Sequence, residues 1–253
     1  MSEVPASEME ASGPITTRRL IALSASAFAV LAAEPLYLLV DTAVIGHLGA
    51  SVLASLGIGA ALLALVTLVG GFLEYGTTAR AARWYGAGRR ADAVNEGVQA
   101  TWLAAGVGTA VVVATQVTAG ALTRALAGGP GPVASGAETW LRIAVCGVPG
   151  ILVTLAGNGW LRGVQDTRRP VLIVLAANGL SAAASPVLVY PLGLGLTGSA
   201  VANVAAQAVA TALFLRALVA TGVSLRPVPA VLKAQIVTDA TSYCARRASR
   251  RPS

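Results

Sequence analysis

The chain has 253 residues, 55% hydrophobic and only 11% charged, with a formal net charge of +7 and a mean hydropathy of +0.72. Soluble domains carry roughly 25% charged residues, so this composition excludes an ordinary water-soluble domain and indicates an integral membrane protein, expected to be all-α once its apolar runs are read as spanning helices. The positive balance is then no nucleic-acid signal. Cys146 and Cys244 lack any metal-like spacing, so neither a disulfide nor zinc is expected, and Cys146 reads as a small packing residue in an apolar run.

Residues 1–17 form a polar N-terminal tail, and the apolar run after it is too long for a cleavable signal peptide. The first of six apolar spans covers about 20–46. Within it, "LAAEPLYLLVDTAVIGHLG" sets Glu34 and Asp41 in a greasy run, where each carboxylate costs at least ~2.5 kcal/mol at the bilayer centre. The two acids are seven residues apart, hence nearly on one face, and Tyr37 shares that face. Pro35 is expected to bend the helix.

The chain then turns at "GHLGAS" into a second span, 51–79, whose Glu74 is expected to pair with Arg80 near the cytoplasmic end. The "GRRADAVNEG" linker has no Walker spacing. A third span covers 95–120 and a fourth 138–161, with Asn158 toward the cytoplasmic end and therefore outside the expected site. The fifth, 170–191, starts at Pro170 and carries Asn178, Ser181 and Ser185 before Pro186; the sixth, 197–220, carries Asn203. Residues 227–253 read as a basic, disordered cytoplasmic tail able to touch anionic lipid.

Basic residues alternate loop by loop. Arg18 and Arg19 precede the first span, Arg80, Arg83, Arg89 and Arg90 follow the second, Arg162, Arg168 and Arg169 follow the fourth, and Arg216, Arg226 and Lys233 flank the sixth. The other connections are nearly free of them, so the positive-inside rule places both termini in the cytoplasm of a plasma-membrane protein.

In that topology Asp41, Ser185 and Asn203 share the outer third of the bilayer. A carboxylate, a hydroxyl, an amide and a tyrosine there would surround a small wet cavity, which resolves the energetic problem of the buried acid. The expected site has Asp41 and Glu34 as cation-coupling residues, with Tyr37, Asn178, Ser181, Ser185 and Asn203 lining it. His47 is the only histidine and reads as a solvated loop residue. No catalytic triad or metal-ligand cluster is recognisable, so an enzyme is not expected.

"EPLYLLVDTAVIGHLG", "YGTTARAARWYGAGRRADA", "LRGVQDTRRP" and "GLGLTGSAVANVAAQ" together resemble the MATE (multidrug and toxic compound extrusion) transporters, most closely their DNA-damage-inducible (DinF-type) branch. The resemblance covers about 18–226 and implies the N-terminal six-helix lobe of a two-lobe fold. It implies export of cationic or amphipathic compounds in exchange for protons or sodium ions, with no other cofactor. Asp41 matches the family's first-span coupling aspartate and Tyr37 a cavity tyrosine. Ser181 and Ser185 stand where the fuller family site has asparagine and aspartate, and Asn203 where threonine is common. With one fixed charge, a proton on Asp41 is the favoured coupling ion. Glu74 departs from a basic family position. The expected partners are the bilayer, a small cationic substrate and a second lobe or second copy, with no nucleic acid. The alternatives are a truncated, transport-inactive half-transporter and a lipid-flippase-like protein.

Overall fold

The structure is a computed structural model that describes residues 35–224 and 226–227. The expected polar tail (1–17), most of the basic tail (227–253), the first half of the first span and Glu34 lie outside the described residues. The elements are α1 (Pro35–Gly46), α2 (Ala50–Gly86), α3 (Arg90–Leu126), α4 (Pro132–Ala144), a 3₁₀ turn (Val145–Gly147), α5 (Val148–Gly163), α6 (Arg168–Val189) and α7 (Gly195–Val219). No strand occurs among the described residues.

Helices α2, α3, α6 and α7 and the continuous α4–α5 unit are each long and apolar enough to cross a membrane. The order of the expected spans is retained, but their ends move. Helices α2 and α3 each have 37 residues, about 55 Å at 1.5 Å per residue, against a hydrocarbon core of ~30 Å. Both therefore run well past the apolar segments expected at 51–79 and 95–120. Hydropathy registers the apolar part of such a helix, whereas its backbone hydrogen bonds continue through the charged turns. The hairpin between them closes at Gly88, whose φ of 75° suits glycine.

The fourth span carries one tightened turn. Pro149 has no N–H to donate to the Val145 carbonyl, and the helix tightens into the 3₁₀ turn just before it. Helix α6 begins at Arg168, two residues earlier than expected, where the Asp166 carboxylate accepts the Arg169 backbone N–H at 3.2 Å. The bend expected at Pro35 falls where the described part of α1 begins.

Short connections make successive spans antiparallel. The 87–89 and 164–167 turns thus share one end, with Arg83, Arg89, Arg90, Arg162, Arg168, Arg169 and Arg216. There the Arg89 and Arg83 guanidinium groups lie 4.2 and 5.7 Å from the Trp84 ring centroid, as in an interfacial aromatic belt.

Small residues bring the helices together. A Cβ on Gly159 would lie 2.3 Å from the Glu74 carbonyl oxygen, and one on Gly108 would lie 2.5 Å from Pro149 Cα. The α2–α5 and α3–α5 seams are thus backbone-close. Trp160 and Phe214 meet edge to face at 6.1 Å beside the α5 core, while Leu68 and Val117 are 74% and 80% exposed, as lipid-facing side chains are.

This packing corrects two expectations. Glu74 pairs with Arg162 across the α2–α5 seam, and Arg80 pairs with Glu96 on α3 at 3.1 Å. Helix α5 runs beside α2 at Glu74, which brings Arg162 into reach. Cys146 is exposed rather than packed, with its Sγ 3.4 Å from the Arg142 carbonyl, because the 3₁₀ turn rotates it off the core-facing side.

Candidate functional site

Three helices each carry two polar residues four apart: Tyr37 and Asp41 on α1, Ser181 and Ser185 on α6, Ser199 and Asn203 on α7. Four residues advance a helix by about 6 Å, so the pairs form two tiers one turn apart. In the first tier Asp41 is only 4% exposed. Ser185 Oγ donates to Asp41 Oδ1 at 2.6 Å, and Ser199 Oγ donates to Oδ2 at 2.8 Å. Ser199 also accepts the Trp140 indole N–H at 3.3 Å. In the second tier Asn203 Nδ2 donates to Tyr37 Oη at 3.2 Å, and Ser181 is buried beside that phenol. Tyr190 Oη donates to the Val44 carbonyl at 2.7 Å and fastens the end of α1.

Among the described residues, the ion pairs join Arg80 to Glu96, Arg89 to Asp92, Arg142 to Glu138, Arg162 to Glu74 and Arg169 to Asp166. None involves Asp41. Among the described residues its two carboxylate oxygens meet hydroxyl groups and no guanidinium.

Asp41 opens onto a cavity of about 510 Å³. Leu53, Leu56, Leu63, Ile151 and Ile173 give it apolar walls, while Tyr37, Thr154, Asn158, Asn178, Asn203 and Gln207 supply polar groups. Thr154 Oγ1, Asn158 Oδ1 and Asn203 Oδ1 are buried with no hydrogen-bonding partner among the described residues. Such atoms are costly to leave unpaired, and all three belong to residues that line this one cavity.

Tyr37, Asp41, Asn178 and Asn203 thus line one cavity. Ser181 and Ser185 are fully buried and do not belong to its lining; Ser185 backs the carboxylate from behind. Asn203 lies one turn deeper than Asp41, and Ser199 takes the place at Asp41's level. Sequence reasoning missed Ser199 and Trp140, although the repeated four-residue spacing on α1, α6 and α7 pointed to Ser199. It also placed Asn158 outside the site by depth. The cavity runs along the bundle, and Ile151, Thr154, Leu155 and Asn158 face it along one stripe of α5.

A MatE family model matches residues 26–187. Protein DETOXIFICATION 44, chloroplastic, from Arabidopsis thaliana is 33% identical over 201 residues, covering 74% of this chain and 38% of that protein. DNA damage-inducible protein F from Escherichia coli (strain K12) is 34% identical over 174 residues, covering 68% and 38% respectively. The crystal structure of MATE in the bent conformation superposes with a TM-score of 0.73 at 25% identity, over 82% of this chain and 46% of that one. The chain spans less than half the length of these relatives. A family model covering more than half of the sequence, together with matching relatives and helical architecture, establishes that the chain belongs to the MatE family, the MATE transporters.

Proposed function

We propose that the chain forms the coupling lobe of a secondary efflux transporter, in which Asp41 exchanges a proton for the positive charge of an amphipathic compound. The observation that carries this reading is a buried carboxylate with no basic partner among the described residues, on the wall of a largely apolar cavity. When Asp41 is ionised, the charge attracts a cationic head, which is less costly to bury beside an anion than alone. The apolar body of the substrate rests on Leu56, Ile151 and Ile173, and its N–H groups meet Thr154, Asn158 and Asn203. Proton uptake neutralises Asp41 and removes that attraction, so proton and substrate compete for one site. A proton suits this geometry better than sodium, because a proton on Asp41 needs a single acceptor, which Ser185 Oγ becomes on rotation, whereas sodium calls for several oxygen ligands around one point.

The arginine-rich end faces the cytoplasm in this reading, with the lobe in the plasma membrane. Transport by alternating access calls for a second lobe, supplied by another polypeptide segment or a second copy. The test is proton-driven efflux of a cationic dye from vesicles reconstituted with this chain, with crosslinking to detect a second copy. Asp41→Asn is expected to abolish exchange while leaving membrane insertion intact. Wild-type exchange by that variant would remove Asp41 from the mechanism.

A further inference from the structure

Most hydroxyls in this bundle donate to a carbonyl of their own helix. Ser55, Thr67, Thr78, Thr101, Thr109 and Thr118 each bond the residue four before them. Ser185 and Ser199 instead both donate to Asp41. The two are not equivalent, because only Ser199 also accepts a bond, from the Trp140 indole.

The indole is itself held in place. Trp140 is 3% exposed and Ser199 1%. A Cβ on Gly59 of α2 would lie 2.5 Å from Trp140 Cε3, so the ring occupies the space that any other residue at 59 would need. On the far side, a Cβ on Gly198 would lie 2.9 Å from the Leu188 carbonyl carbon. Helices α6 and α7 are thus close enough for Ser185 and Ser199 to share one carboxylate. The result is a chain of donors, Trp140 to Ser199 to Asp41, running from α4 through α7 to α1.

We propose that Trp140 is a positioning residue for Asp41: its N–H occupies a lone pair of Ser199 and keeps that hydroxyl a fixed donor to Oδ2, so that Oδ1 and Ser185 form the side that changes. When Asp41 takes a proton, the carboxyl O–H on Oδ1 donates to Ser185 Oγ. The Ser185 hydrogen then turns to the Ser181 carbonyl four residues back, the default for hydroxyls in this bundle. Among the described residues, the other titratable group facing Asp41 is Tyr37, on α1 itself; α4, α6 and α7 present the uncharged Trp140, Ser185 and Ser199 to it. The functional meaning of this asymmetry rests on the coupling role proposed for Asp41, but the hydrogen-bond chain stands independently of transport.

The experiment is infrared difference spectroscopy of the Asp41 carboxylate stretch in the reconstituted chain at alkaline pH, with Asp41→Asn as the blank. Trp140→Phe removes the N–H. Because that variant also loses ring volume, β-benzothienylalanine at 140, which keeps the bicyclic shape of tryptophan with sulfur in place of the N–H, is the second variant and decides the outcome if the first fails to fold. Removal of the N–H is expected to shift the band in the same direction as Ser199→Ala. Combination with Ser199→Ala is expected to give the Ser199→Ala band alone, while Ser185→Ala shifts the band independently and adds to either. An unmoved band in the benzothienylalanine protein, or a shift that adds to that of Ser199→Ala, overturns the proposal. Dye exchange by Asp41→Asn at the wild-type rate would overturn the coupling role instead and leave the band test as it stands.

Discussion

Tyr37 and Asn203 offer a measurement of how firmly α1 is docked. Asn203 is 9% exposed, its Nδ2 bonds Tyr37 Oη at 3.2 Å, and its Oδ1 has no partner among the described residues. Tyr37→Phe would therefore strand the amide at both ends, and a buried donor left unmet costs about 1–3 kcal/mol. Asn203→Leu removes the donor but leaves the phenol beside Ser181, so its effect should be nearer the ~0.5–1.5 kcal/mol of an ordinary hydrogen bond. The double variant replaces both partners with apolar groups, an exchange that is often close to neutral, and should be less destabilised than the sum of the singles by roughly 1 kcal/mol. Reversible unfolding in mixed detergent and SDS micelles reads all three differences on the same protein. Additivity within about 0.3–0.5 kcal/mol, the scatter expected of independent sites, would show that the second tier does not couple α1 to α7.

The α5 stripe should contribute affinity: Asn158→Ala and Thr154→Ala are each expected to weaken binding of a fluorescent primary-amine dye by roughly 2- to 10-fold, the equivalent of one neutral hydrogen bond. Unchanged affinity in both variants would place the amine elsewhere. Orientation is checked in a background lacking Cys146 and Cys244, with single cysteines introduced as Ala87→Cys and Leu192→Cys. A membrane-impermeant maleimide applied to intact cells should label position 192 and spare 87; the opposite pattern would invert the topology.

The number and order of the spans were legible because each apolar run is long enough to cross hydrocarbon and is bounded by glycine, proline or arginine. Their ends were not. The charged turns that extend α2 to Gly86 and start α3 at Arg90 are helical by backbone hydrogen bonding and by packing against α5, which hydropathy does not register. Glu74 shows the same limit: Arg80 is close in sequence, but Arg162 is the cation that the glycine-lined α2–α5 seam brings alongside it.

In the candidate site, the placement of Asp41, Tyr37 and Ser185 on inward faces at compatible depths was readable, since helical periodicity and distance from a span end set both. The sequence by itself determined a membrane bundle with two acids, Glu34 and Asp41, in its first span and polar residues on two others. Only the tertiary structure decided that Ser199 and not Asn203 meets that acid, that Trp140 stands behind Ser199, and that Asn158 belongs to the cavity. Hydrophobicity and helical period act along one helix at a time. Hydrogen-bond partners depend on rotation and separation between helices, and those are set by where Gly59, Gly159 and Gly198 let neighbours approach.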